Sequence, residues 1–182
     1  MIDVHCHLNF HKFDSDVEDV IQRALDSGVK KIINTGTSLA SSIKTVELAQ
    51  KYENLYSIVG IHPHHADKSD VEFEGIQVDN RLEELEKIAL SEKKVVGIGE
   101  IGMDYWNYRT NGIVPKDLQE DVFRKQIELS IKLKLPLQIH NRLAWDDTLN
   151  ILLDYKDQLS NPPGMFHCFS GSVDFARQVL DA

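Results

Sequence analysis

The sequence predicts an α/β fold built on parallel strands, and three observations carry that reading. Short apolar runs of strand length alternate with amphipathic stretches of helical period. Gly or Pro stands at several of the joins, notably Gly36, Pro136 and Pro162-Pro163-Gly164. Polar residues of metal-binding type stand at the ends of several apolar runs. Strand and helix in strict alternation read as βαβ units with right-handed crossovers. An open doubly wound sheet and a closed barrel both accept this pattern.

The first run, 2–8, alternates faces: Ile2, Val4, Cys6 and Leu8 on one, Asp3, His5 and His7 on the other. The first helix follows it. Ser15-Asp16-Val17-Glu18 has the spacing of a capping box, Val17, Val20, Ile21, Ala24 and Leu25 form one face, and Gly28 suits the C-terminal cap. Further strand-like runs lie at 31–35, 56–61, 95–101, 137–140 and 165–168. Between them, Leu82, Leu85, Ile88 and Ala89 make one helical stripe, and Leu118, Val122, Ile127 and Ile131 another. Trp145, Leu149, Leu152 and Leu153 make a third. Six units fit, and the chain stops inside a sixth helix that carries Val173, Ala176, Val179 and Leu180.

The 182 residues suit a single domain, 1–182. Twenty Lys and Arg against twenty-nine Asp and Glu leave a net charge of −9, which argues against a basic nucleic-acid binder but not against an enzyme that meets phosphates through metal. Two cysteines make no disulfide framework, so a reducing cytoplasm is expected. No run approaches the ~18 apolar residues of a membrane span, and the start lacks the pattern of a signal peptide. The acidic stretch 67–74 reads as a solvated loop.

The chemistry lies at the strand ends. His5 and His7, two residues apart on one strand face, suit two ligands of one metal. Val96-Gly97-Ile98-Gly99-Glu100 ends an apolar run in a carboxylate, and Leu137-Gln138-Ile139-His140 and Met165-Phe166-His167 each end one in an imidazole. Four candidate strands thus deliver metal-ligand residues at their C-terminal ends, where barrel active sites sit. Glu100 is the only carboxylate among them, and a carboxylate bridges two cations ~3.5–4 Å apart. Arg142, just past His140, suits a bidentate grip on phosphate. Asp3 could orient an imidazole, and Asp104 is a candidate either for that role or for contact with substrate. Strand parity turns Cys6 and Cys168 away from the ligands, as buried small hydrophobes. His11 and His65 match no ligand position.

Five motifs carry a family resemblance: Asp3-Val4-His5-Cys6-His7, Gly60-Ile61-His62-Pro63-His64, Gly99-Glu100-Ile101-Gly102-Met103-Asp104-Tyr105, Leu135-Pro136-Leu137-Gln138-Ile139-His140-Asn141-Arg142 and His167-Cys168-Phe169-Ser170-Gly171. In this order the chain resembles the TatD-type metal-dependent deoxyribonucleases, a branch of the amidohydrolase-like (β/α)8 superfamily. The resemblance implies a TIM-type barrel that here lacks roughly its last two strand-helix units, since such barrels run to about 250 residues. It implies His5 and His7 on one divalent metal, His140 and His167 on a second, and Glu100 between them as the catalytic carboxylate. The metals it implies are zinc, manganese or magnesium, and four imidazoles favour the first two. It places His62 and His64 against substrate phosphate. The implied activity is hydrolysis of DNA phosphodiester bonds, often as an exonuclease. The alternatives are a related metallohydrolase acting on another phosphoester or an acyl ester of nucleic acid, and an inactive metal-binding fragment. The missing part is expected to hold a metal-binding aspartate, and no protein partner is expected unless a second chain completes the barrel.

Overall fold

The computed structural model describes residues 1–67, 78–109 and 112–181. Six parallel strands form one sheet in chain order: β1 (Ile2–Cys6), β2 (Lys31–Thr35), β3 (Leu55–Val59), β4 (Val95–Asp104), β5 (Leu137–Arg142) and β6 (Gly164–Phe166). Each is followed by a helix: α1 (Val17–Asp26), α2 (Leu39–Lys51), α3 (Val78–Ser91), α4 (Lys116–Leu133), α5 (Trp145–Leu153) and α6 (Val173–Asp181).

Side chains that cross the concave face decide between open sheet and barrel. β1 and β5 are four steps apart in the sheet, about 19 Å at ~4.8 Å per step if it were flat. Yet His5 Nδ1 lies 2.9 Å from Gln138 Oε1, and Gln138 Nε2 donates to the Val4 carbonyl at 2.8 Å. Just beyond β6, His167 stacks on His5 with ring centroids 3.9 Å apart. Only a strongly curled sheet allows these contacts. The six strands are therefore the arc of a TIM-type barrel.

Apolar faces hold the helices on the outside of this arc. Ile21 of α1, with Leu8, Ile32, Ala49 and Leu55, forms one core cluster, and Val17, Val20, Ala24 and Leu25 pack on it as expected. A larger cluster joins β3, β4 and β5 to α3, α4 and α5 through Val59, Ile98, Ile139, Leu85, Val122, Phe123, Ile127 and Ile151. Each such burial contributes about 1.5–3 kcal/mol. Helix ends are satisfied locally. Gly28, at φ +90°, closes α1 with bonds from its own N–H to Leu25 and from Val29 N–H to Ala24. Lys94 Nζ donates to the carbonyls of Ala49, Tyr52 and Glu53, tying the C-terminal end of α2 to the start of β4.

The structure corrects several expectations. No capping box forms at Ser15–Glu18: a 3₁₀ turn (His11–Phe13) delays the helix, Asp16 takes the N-cap position, and its side chain makes no cap bond. β1 ends at Cys6 because Leu8 N–H bonds the Asn34 side chain and Phe10 N–H turns back to His7. β6 ends at Phe166, so strand parity does not reach Cys168, which is exposed at φ +45°. Leu153, Val173 and Leu180 are exposed, and Phe175 is the buried residue of α6, edge-on to Trp145. The stretch 67–74 lies outside the described residues save for Asp67. α2 has a buried face that mixes Leu39, Ala40, Val46 and Ala49 with Ser42 and Thr45, so its stripe is faint in the sequence.

Gly97, Gly99 and Gly102 have the spacing of a dinucleotide-binding loop, but all three lie inside β4 rather than at a strand-to-helix turn. Their use is close approach between strands. Gly102, at φ +140°, pairs with His140, and a Cβ there would stand 2.0 Å from the His140 carbonyl oxygen. Gly102→Ala is therefore expected to cost about 2–4 kcal/mol in urea unfolding. An unchanged midpoint would show that the strands can separate freely at this point.

Candidate metal centre

Parallel strands deliver their C-terminal ends to one side of the arc, and the polar residues there converge. Glu100 of β4 is the hub, only 4% exposed. Its Oε1 lies 2.7 Å from both His140 Nδ1 and His167 Nε2, and 3.7 Å from His62 Nε2. Its Oε2 lies 3.4 Å from His7 Nε2 and 3.9 Å from His5 Nε2. All five expected metal-site residues thus meet at one place, with two of the expected imidazoles on each carboxylate oxygen and His62 as a third at Oε1.

Hydrogen bonds set the tautomers. Gln138 Oε1 also accepts from Thr35 Oγ1, so His5 Nδ1 must donate to it; His7 Nδ1 donates to the Thr35 carbonyl at 2.9 Å. In the neutral rings both Nε2 atoms then carry bare lone pairs, and these face each other at 3.1 Å beside a carboxylate. That is repulsive unless a cation lies between them. Ligands about 2.0–2.1 Å from zinc at tetrahedral angles are roughly 3.3 Å apart, so the pair fits one ion. At the other oxygen, His140 Nδ1 and His167 Nε2 are 3.2 Å apart, and these two nitrogens with Glu100 form a second group within ligand range.

A third group, His62, Asp104 and His140, also lies within ligand range. Asp104 is already saturated there: it accepts from Trp106 N–H at 2.8 Å, Tyr108 Oη at 3.1 Å and His140 Nε2 at 2.9 Å, and His64 Nε2 stands 3.1 Å away. Its arrangement is that of a carboxylate orienting an imidazole. His62 Nδ1 accepts from the His64 N–H, which leaves its Nε2–H aimed toward Glu100 and the space between the ligands. His64 is buried on Asp104, edge-on to Tyr108, and does not reach that space. Arg142 lies at the rim, stacked on Trp106 and bonded to Tyr108 Oη.

Residues 2–182 match the family described as TatD related DNase. The chain belongs to this family. It is 35% identical over 181 residues to the uncharacterized metal-dependent hydrolase YabD of Bacillus subtilis, covering 99% of this chain and 65% of that protein. It is 34% identical to the 3'-5' ssDNA/RNA exonuclease TatD of Cronobacter sakazakii, covering 99% of this chain and 63% of the relative. The crystal structure of YJJV, a TatD homolog from Escherichia coli, superposes with a TM-score of 0.83 at 30% identity, over 100% of this chain and 64% of the other. The chain thus spans just under two thirds of the length of these TatD-family relatives.

In this TatD-family chain the electrostatics follow from burial and pairing. Burial opposes ionisation of Glu100, but the His140, His167 and His7 rings set against its oxygens hold it well below the usual carboxylate range. Asp104 is likewise burial-opposed and held low by His140, His64 and the Trp106 amide. Burial pulls His140 down, yet Asp104 and Glu100 together push it up to about 9. A proton on His140 therefore stands where a cation would. Burial, then the neighbouring His140, holds His62 neutral, well below the ordinary histidine value. Cys6 is pushed up to about 12 by burial and by Asp3, an inert thiol facing the helices.

Several working residues escape the strand-end argument. Gln138 orients His5, Gln119 pairs with the backbone of Asp104 through both its amide atoms, and Gln126 does the same for Ile61 just before His62. A signal for two of them is present in the sequence: Gln119 and Gln126 lie on the same helical stripe as Val122, polar residues on a core face. Asp104 itself proves to be a member of β4, four residues after Glu100.

The raised pKa of His140 has a sign that can be tested. Without metal, the folded protein keeps a proton that the unfolded chain releases above about pH 6.5. The resulting stability is full below that pH and is lost as pH rises through about 9. Chelated protein is expected to lose on the order of 3 kcal/mol between these limits in thermal or urea unfolding. Asp104→Asn should flatten that profile and lower metal affinity about 10–100-fold by calorimetry. A flat profile in the unaltered protein would rule out the His140–carboxylate pairing.

Proposed function

We propose that this chain carries the two-cation centre of a phosphodiesterase that hydrolyses single-stranded DNA, as an exonuclease. The observation that supports it most is the buried Glu100 carboxylate, with one imidazole pair on each oxygen. In this reading His5 and His7 hold one cation, His140 and His167 the other, and Glu100 is shared. Four imidazoles and one carboxylate favour zinc or manganese over magnesium. The bound cations supply Lewis-acid polarisation of a phosphate and activation of water near neutral pH.

The remaining residues bind and orient. His62, kept neutral, donates through Nε2–H to a non-bridging phosphate oxygen. Arg142 adds a guanidinium at the rim, where a second phosphate of the strand would pass. His64 acts through Asp104, which holds His140 with its Nδ1 toward Glu100. Gln138 and the Thr35 carbonyl fix the rings of His5 and His7, so no reorganisation is needed when substrate arrives. The name of the Cronobacter relative, a 3'-5' ssDNA/RNA exonuclease, supports this substrate class. The two free cysteines fit a reducing compartment, and no helix among the described residues is long and apolar enough to cross a membrane.

Glu100→Gln keeps the shape of the hub and removes its charge. It is expected to lower metal-dependent cleavage of a labelled single strand by at least about 10²–10³-fold. Metal stoichiometry should fall while the circular dichroism spectrum stays unchanged. Full stoichiometry and turnover in the variant would reject the bridging role.

A further inference from the structure

The rim of the centre holds a feature that phosphate hydrolysis alone does not use. Trp106 is 45% exposed, immediately after the buried end of β4. The Arg142 guanidinium lies 4.3 Å from the Trp106 ring centroid and 5.5 Å from that of Tyr108, and its Nη1 donates to Tyr108 Oη at 2.9 Å. Tyr108 in turn meets the His64 ring edge-on at 4.1 Å. Three planar groups, two aromatic and one cationic, are thus assembled in one place. All three are tied to Asp104: Trp106 through its backbone N–H, Tyr108 through its hydroxyl, and Arg142 through Tyr108. Asp104 also bonds His140, so the platform is one side chain away from the metal centre.

We infer that Trp106, Arg142 and Tyr108 form a stacking platform for a nucleobase of the strand being cleaved. The inference rests on the phosphodiesterase reading for its substrate and adds what recognises that substrate apart from its phosphates. A large aromatic ring left in solvent beside a stacked guanidinium matches a nucleobase in shape and in electrostatics: the base has a π-face for the indole and for the cation. Stacking of this kind is tolerant of sequence and requires an unpaired base, which selects single strands over duplex. The held guanidinium keeps its charge beside the stacked base, where the strand's phosphates also run. Tyr108 and the Asp104 anchor hold the platform rigid, so the base is placed at a set distance from the hub.

The test compares two strands of equal length and charge in the presence of manganese: phosphorothioate-linked oligothymidine, which resists hydrolysis, and the same backbone carrying abasic sites. Binding is read by fluorescence anisotropy of a terminal label. The unaltered protein is expected to prefer the base-bearing strand by between about 5- and 150-fold. Trp106→Ala should abolish that preference, and Trp106→Phe should retain part of it because a ring remains. Equal affinity of the unaltered protein for the two strands, including no measurable binding to either, overturns the proposal. So does a preference that survives in Trp106→Ala. The underlying reading is tested apart from it, by metal-dependent hydrolysis of bis(p-nitrophenyl) phosphate, which has no nucleobase. Failure there with an intact base preference would leave a nucleic-acid binding site without the proposed chemistry.

Discussion

A carboxylate removed from water must be matched by positive charge or protonated, and the centre is organised around that requirement at Glu100. The residue is almost wholly buried, and among the described residues the side chains paired with its oxygens are imidazoles. Imidazoles can answer the demand in two ways, by carrying protons or by carrying cations. The Nδ1 atoms of His5 and His7 are taken by hydrogen bonds to Gln138 and the Thr35 carbonyl, so each ring meets Glu100 through Nε2. His140 can serve either way, since Asp104 stabilises it whether its Nδ1 holds a proton or a metal.

That geometry depends on curvature. Strands that are distant in the sheet contribute to one site only if the sheet bends, and the bend is recorded in the Gln138 amide. It touches β1 at both of its polar atoms, through His5 and the Val4 carbonyl, and bonds Thr35 of β2 as well. Close strand approach makes the bend possible. Gly97, Gly99 and Gly102 let β4 lie against neighbours that any side chain would push away. The hydrogen-bond pairing of β4 with β5 is irregular between Ile98 and Ile101, the stretch that contains Glu100. Packing of the outer helices holds the strands in place but does not itself select the residues that point inward.

Much of this was legible in the sequence because parallel strands obey a simple rule. Their C-terminal ends all face one way, so an imidazole or carboxylate ending each of several apolar runs implies a shared site without any structure. By that rule His5, His7, Glu100, His140 and His167 are expected to converge, and their side chains do meet. What the rule missed has a physical cause in each case. Asp104 stands beyond the expected end of its strand, because Gly102 carries the chain onward where an ordinary residue would stop it. Gln119 and Gln126 act on backbone atoms from a helix, and the stripe they share with Val122 signals burial but not which backbone they bond. His64 and His62 share a motif but point differently, since the short 3₁₀ turn at Pro63–His65 sends one ring toward the hub and the other behind it. Cys168 was assigned by parity past the point where its strand had ended.

Asp104 also joins two functions that are usually argued separately. The orientation of a metal ligand and the placement of a substrate are commonly assigned to different residues, and each is then free to vary alone. Here one carboxylate accepts from His140 and the Tyr108 hydroxyl at Oδ2 and from the Trp106 amide at Oδ1. Any shift of the rim is therefore felt at His140, and any change in the charge on His140 is felt at the rim. A buried carboxylate with all its partners satisfied is rigid, because releasing one of them leaves an uncompensated charge. Rigidity of this kind is what a site needs if a base held at the rim is to place the adjoining phosphate at the hub, since an error of about 1 Å costs a large part of the rate. The same argument explains why Gln119 bonds both the N–H and the carbonyl of Asp104: the residue on which both ends of the site depend has its backbone as well as its side chain held in place.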